Sequence, residues 1–172
     1  MDIDPDTKDW TWVLERPCPD CGLAAGEVVP TEVSARVLAD LPRWEDVLRR
    51  AEARVRPAPA MWSPTEYACH VRDVFVMFDQ RARMMLTQDD PLFANWDQDE
   101  TALEDDYASQ LPSEVSTQLV AAGRAIAATF DGVLADQWNR TGRRSNGSTF
   151  TVGTLAQYFV HDIVHHLHDV RG

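Results

Sequence analysis

Residues 157–169 read QYFVHDIVHHLHD, and four of the chain's five histidines fall within them. On a helix, at about 100° per residue, His161 and His165 share one face a single turn apart. Two imidazoles at i and i+4 can offer two nitrogens to one metal ion. His168 falls near the same stripe, whereas His166 points about 140° away from His161. Leu155, Phe159, Ile163 and Leu167 recur at helical spacing and predict a buried face. The helix should run from about Val152 to Val170, with Thr151 or Thr154 as its cap. Asp162 and Asp169 are placed to orient imidazoles. The fifth histidine, His70, lies in YACHVRDVF, which also reads as helix. The expectation is that His70 meets His161 and His165 and that the three bind a divalent metal. Three protein ligands with a fourth position open is the pattern of a catalytic site. All-imidazole ligation suits Zn, Ni, Cu or Fe(II), with zinc the default because it has no redox chemistry. The competing reading is a polar helix face that happens to contain histidine, against which the other helices contain almost none.

Three further helices are legible. Ser63-Pro64-x-Glu66 is a capping box with proline at the first helical position, and the helix it opens can run through Gln88. On it, His70 and Asp73 are surface neighbours. An amphipathic stripe from Val33 to Leu48 starts near Pro30 with Thr31 as candidate cap, and Pro42 should kink or divide it. A third stripe, Val115 to Leu134, begins after Pro112 with Ser113 as candidate cap. Together these predict an all-α four-helix bundle with long connections over residues 31–172, preceded by a leader over residues 1–30.

The chain has 172 residues, 44% of them hydrophobic, enough for one domain with a real core. Its net charge of −12 argues against nucleic acid and anionic membrane surfaces as partners. No apolar run approaches the roughly 18 residues of a spanning helix, and MDIDPDTKDW lacks the features of a secretory signal. Three cysteines do not make a disulfide framework. These readings predict a cytoplasmic protein acting on a small-molecule substrate.

Two local features leave alternatives open. Cys18 and Cys21 form a CPxCG unit shaped like one zinc knuckle, without the second pair of a zinc ribbon. It reads as a redox dithiol, as half of a metal site completed by His or carboxylate, or as two reduced thiols in a turn. Residues 89–112 are acidic but lack the EF-hand pattern, and read as a solvated connection with a short helix. In NRTGRRSNGSTFTV, Asn146-Gly147 marks a turn between short extended segments. Arg140, Arg143 and Arg144 there are either a solvated basic loop or an anion-binding lip over a pocket.

The segments WSPTEYACHVRDV, GRRSNGSTFTVGTLAQYFVHD and HDIVHH resemble the DinB-like superfamily of metal-binding four-helix bundles, which is related to the mycothiol-dependent maleylpyruvate isomerase N-terminal domain. The resemblance covers roughly residues 31–171. It implies an up-down-down-up bundle and a metal held by a His of the second helix and two residues at i and i+4 on the last, mapping to His70, His161 and His165. It also implies a thiol-dependent transferase or isomerase using mycothiol or bacillithiol, and it is consistent with a homodimer. Arg140 and Arg143 would then hold a substrate carboxylate. A metal-dependent hydrolase with Asp73 as base, and a non-catalytic metal or redox protein using Cys18 and Cys21, are the alternatives. Replacing His70, His161 or His165 should abolish metal binding. His166 should tolerate replacement, and His168 should stand behind a ligand or on the surface.

Overall fold

Ser63 starts the longest helix, α2 (Pro64–Thr87), through the reciprocal bonds that its sequence predicts. The Ser63 hydroxyl accepts from the Glu66 N–H at 3.3 Å, and the Glu66 carboxylate accepts from the Ser63 N–H at 2.8 Å. Arg56 forks onto the same carboxylate, so a buried Glu66 is fully partnered. The computed structural model describes residues 10–172; the opening stretch 1–9, on which the absence of a secretory signal was read, lies outside the described residues.

Helix α1 (Val33–Leu48) follows a 3-10 turn at Pro30–Glu32, so Thr31 lies inside that turn and no side chain caps α1. Pro42 does not divide it. The carbonyl that Pro42 leaves without a helical donor belongs to Leu38, a solvent-exposed residue, and the buried stripe continues through Trp44 and Val47. Residues 88–111 contain a two-residue strand, β1 (Leu92–Phe93), and a short helix, α3 (Gln98–Glu104), capped by Asp97. Helix α4 (Pro112–Asp131) opens on proline, with no side-chain bond at its cap residue, Leu111. The strands β2 (Thr141–Arg144) and β3 (Thr149–Thr151) form the expected hairpin, turned at Gly147 with φ +98°. β1 joins β2 in parallel, an addition that the acidic connection did not announce. The last helix is α5 (Val152–Asp169).

Helices α1, α2, α4 and α5 make the four-helix bundle, with α4 packed on both α1 and α2 and α2 also on α5. Trp44, Phe75, Leu119, Ile126 and Phe159 fill its core with essentially no exposure. Helices approach closely at Gly123, where an added Cβ would lie 2.5 Å from Leu41 Cδ2 and 2.9 Å from Phe75 Cε2. The leader packs on α5, and the Gln157 side-chain amide donates to the carbonyls of Gly26 and Val28 at 3.0 and 2.9 Å. No helix among the described residues is long and apolar enough to cross a membrane.

Candidate metal centre

Thr151 and Thr154 start α5 with reciprocal side-chain bonds, the Thr151 hydroxyl accepting from the Thr154 N–H at 3.0 Å and the Thr154 hydroxyl from the Thr151 N–H at 2.9 Å. This fixes the helix on which four ligating side chains follow within two turns. His161 and His165 face one neighbour, and Asp162 and His166, rotated by about 100°, face another. The structure therefore divides the expected His70–His161–His165 triad. His70 of α2 meets Asp162 and His166, whereas His161 and His165 meet Cys18 and Cys21 of the leader; within each group the ligand atoms lie within 4.8 Å of one another. The physical reason is the rotation of α5: the face carrying Asp162 and His166 is turned to His70, and the leader occupies the face one residue away.

In the first group, Asp162 Oδ1 lies 3.4 Å from His70 Nε2 and 3.6 Å from His166 Nε2. With metal–nitrogen and metal–oxygen bonds of about 2.0–2.1 Å, ligand atoms of a tetrahedral site stand about 3.3–3.4 Å apart. The donor atoms thus fit a small divalent ion. His70 is completely buried, and neither of its ring nitrogens has a hydrogen-bond partner; the approach to Asp162 lacks the alignment of one. Asp162 Oδ1 is likewise buried and unbonded. Buried polar atoms are rarely left so, and an ion held between them would satisfy them. Behind His166, Asp169 lies 3.0 Å from Nδ1, which fixes the proton there and turns Nε2 toward the group. Trp96 stacks on the His70 ring at 5.4 Å and 4°.

The electrostatics suit ligation, which needs neutral imidazole and ionised carboxylate. Burial pushes the His70 pKa down, against the pull of Asp162. Burial also lowers His161, to about 4, with His165 adding to it, and burial lowers His165. For Asp162, burial alone would raise the pKa, but the surrounding histidines, His70 foremost, outweigh it and bring it to about 2. Asp169 behaves alike, burial being outweighed by His166.

Asp162 and His166, with His161 and His165 beside them, open on a cavity of about 260 Å³, whose walls include Trp10, Trp62, Tyr67, Tyr158, Asp99 and Asp169. Among the described residues, no Lys or Arg lines it. Burial, with Asp169 and Glu66 nearby, pushes the Tyr67 phenol up to about 12, so it stays protonated.

The model of the DinB superfamily matches residues 34–170. The chain belongs to the DinB superfamily. Among solved structures, this DinB chain is similar to YfiT from Bacillus subtilis, described as a probable metal-dependent hydrolase with an unusual four-helix bundle topology. The two share 18% identity over 81% of each chain with a TM-score of 0.67, a likeness of fold. No curated protein sequence matches the chain.

Three residues expected at the site of this DinB protein lie elsewhere. Asp73 accepts from the Tyr107 hydroxyl and pairs with Arg72 at 2.8 Å, so its oxygens are committed to structure and it does not line the cavity. The Arg140 guanidinium donates to the carbonyls of Met85 and Gln88, both at 2.6 Å, clamping the end of α2. Arg143 pairs with Asp90 at 2.8 Å. Neither arginine lines the cavity, because Arg140, just before β2, is bound at the C-terminal end of α2, away from His70, and Arg143 follows it on β2. His168 is exposed, as one of its two expected placements had it. Sequence reasoning set His166 aside and gave Asp162 a supporting place, whereas the structure groups both with His70; their own i, i+4 spacing was the available signal.

Proposed function

We propose that this DinB protein is a metal-dependent enzyme whose ion is held by His70, Asp162 and His166. The observation that carries the proposal is the convergence of unbonded buried atoms of His70 and Asp162 with His166 beside an open cavity. Two imidazoles and one carboxylate suit zinc, with Fe(II) and Ni the alternatives. A divalent ion there would supply Lewis acidity, lowering the pKa of a bound nucleophile to near neutrality.

The chain's own residues supply the rest. Asp169 holds His166 in the ligating tautomer. Tyr67, kept protonated, donates a hydrogen bond to an oxygen of the substrate. Trp10, Trp62 and Tyr158 receive its apolar part. The carboxylates of Asp99 and Asp169 in the wall disfavour anionic substrates. The reaction is transfer of a neutral, partly apolar electrophile to a small nucleophile. A low-molecular-weight thiol of the mycothiol kind is the first candidate, and the alternative is water, the nucleophile in a hydrolase such as YfiT is described to be. Neither Arg140 nor Arg143 reaches the cavity, so neither holds a substrate carboxylate there.

Metal analysis of untagged protein and of His70→Ala and Asp162→Ala variants tests the site. Each variant should lose one ion per chain and all turnover, and retention of that ion in both would remove the proposal. Neutral esters, amides and thiol-reactive electrophiles, each run with and without mycothiol, separate transfer from hydrolysis.

A further inference from the structure

The leader carries a second set of ligating atoms that the proposed catalytic group does not use. We infer that Cys18, Cys21, His161 and His165 form a separate, closed tetrahedral site for a zinc-type ion, which fastens the leader to α5. Cys18 Sγ lies 3.6 Å from His165 Nδ1. With metal–sulfur bonds of about 2.3 Å and metal–nitrogen bonds of about 2.0–2.1 Å, the sulfur–nitrogen edge of a tetrahedron is about 3.5 Å. All four ligand atoms fall within 4.8 Å of one another. His161 is only 4% exposed, and its Nε2 has no hydrogen-bond partner. Cys18 is 1% exposed. Two thiols and two imidazoles make a soft, four-ligand set of the composition that structural zinc takes, with no protein-free position.

The local backbone is built for it. Gly22, directly after Cys21, has φ +75°, and its N–H donates to the Cys18 carbonyl at 2.9 Å. The Cys18 N–H donates to the Leu23 carbonyl at 2.9 Å, closing the turn that brings both sulfurs to one side. The other half is the i, i+4 pair on α5. Trp10 covers the set, with ring centroids 5.5 Å from His161 and 5.3 Å from His165.

The placement gives the site a consequence for the cavity. Trp10 belongs to the leader and also forms part of the cavity wall. An ion bridging Cys18 and Cys21 to α5 therefore holds one wall of the cavity beside the His70 group. Asp169 stands behind a histidine of each set, 3.0 Å from His166 Nδ1 and 3.8 Å from His165 Nε2.

The two sets contain different donors, so their loading can be read separately. Full-length protein is loaded with Co(II), whose thiolate charge-transfer absorption reports only the cysteine set. Wild type should bind two ions per chain and show this absorption. Cys18→Ser and Cys21→Ser should each bind one ion and lose it, while His70→Ala should bind one ion and keep it. Absence of the absorption from wild type, or its persistence in both serine variants, overturns the inference. A fold-independent check uses zinc-loaded wild type alkylated before and after chelation, with the labelled peptide mapped. Cys18 and Cys21 should be protected by zinc and released by the chelator, and equal labelling in both states overturns the inference as well. Loss of the ion from His70→Ala bears only on the proposed catalytic group.

Discussion

Asp169 makes the sharpest test of how the proposed catalytic ion is held. Its carboxylate lies 3.0 Å from His166 Nδ1 and touches no donor atom of the ligand set directly. Hydrogen bonds to a charged acceptor contribute about 1.5–3 kcal/mol, and neutral ones about 0.5–1.5 kcal/mol. Asp169→Asn keeps an oxygen that can accept from Nδ1 but removes the charge, a loss of about 1–1.5 kcal/mol. At about 1.4 kcal/mol per decade, metal affinity at the His70–Asp162–His166 group should fall about tenfold. Asp169→Ala removes the acceptor altogether and frees the ring to take the other tautomer, so the loss should approach 100-fold. The contact with His165 is 3.8 Å, beyond hydrogen-bond distance, so the cysteine set should change far less. Asp169 also sits in the last turn of α5, where a carboxylate opposes the helix dipole. Its pairing with His166 works in the other direction, so the metal-free fold should keep its melting temperature to within a few degrees. The assay is competition with a chromophoric chelator on wild type and both variants. Equal affinity in all three, or a larger loss in Asn than in Ala, would refute the reasoning.

Ser63→Ala should lower stability by about 1 kcal/mol, read from urea denaturation, because it strips the cap of α2. Gly123→Val should destabilise by more than about 2 kcal/mol, since the Cβ alone would already press on buried Leu41 and Phe75; an unchanged urea midpoint would contradict the helix contact. Glu66 has its pKa held down because the Arg56 fork and the Ser63 donors outweigh its burial. Its contribution is present above the unfolded-state value of about 4.3 and fades as pH falls through the lower folded-state value. The stability gap between wild type and Glu66→Gln should therefore be constant from pH 7 to 5 and shrink below about pH 4, and a gap that widens on acidification would contradict this.

Much of the bundle was legible because its signals are local. The Ser63 and Thr151 caps, the Asn146-Gly147 turn and the buried stripe of α5 each lie within a few residues of sequence. The readings that failed depend on surroundings. Pro42 costs a helix little when the carbonyl it orphans belongs to an exposed residue such as Leu38, and no short window shows that exposure. Arg140 looked like an anion receptor because it is cationic in an acidic chain. What decides its role is that the end of α2 presents two carbonyls to it. Strand β1 pairs with a partner some fifty residues away, as Leu92 does with Arg143.

The site shows how one motif can be read into a grouping other than the one the fold assembles. HDIVHH contains two i, i+4 ligand pairs offset by one residue, His161 with His165 and Asp162 with His166. Spacing alone treats them equally, and the all-histidine pair is the more conspicuous. Which pair meets His70 depends on the rotation of α5 about its own axis. That rotation is set by the apolar stripe of Leu155, Phe159, Ile163 and Leu167, all buried against the bundle. With those residues fixed inward, at about 100° per residue, Asp162 and His166 both lie on one side of Ile163, about 60–100° from it and toward α2, while His161 and His165 lie about 160° from it, on the far side of the helix. That side would be open but for the leader, and there the CPxCG turn places the two sulfurs. The cysteines and the conspicuous histidines thus lie together in the fold although about 140 residues separate them in sequence. Sequence reading left the cysteine half open and joined the histidine half to His70, because the docking that brings the two together is carried by Trp10 and Gln157, residues that belong to neither half.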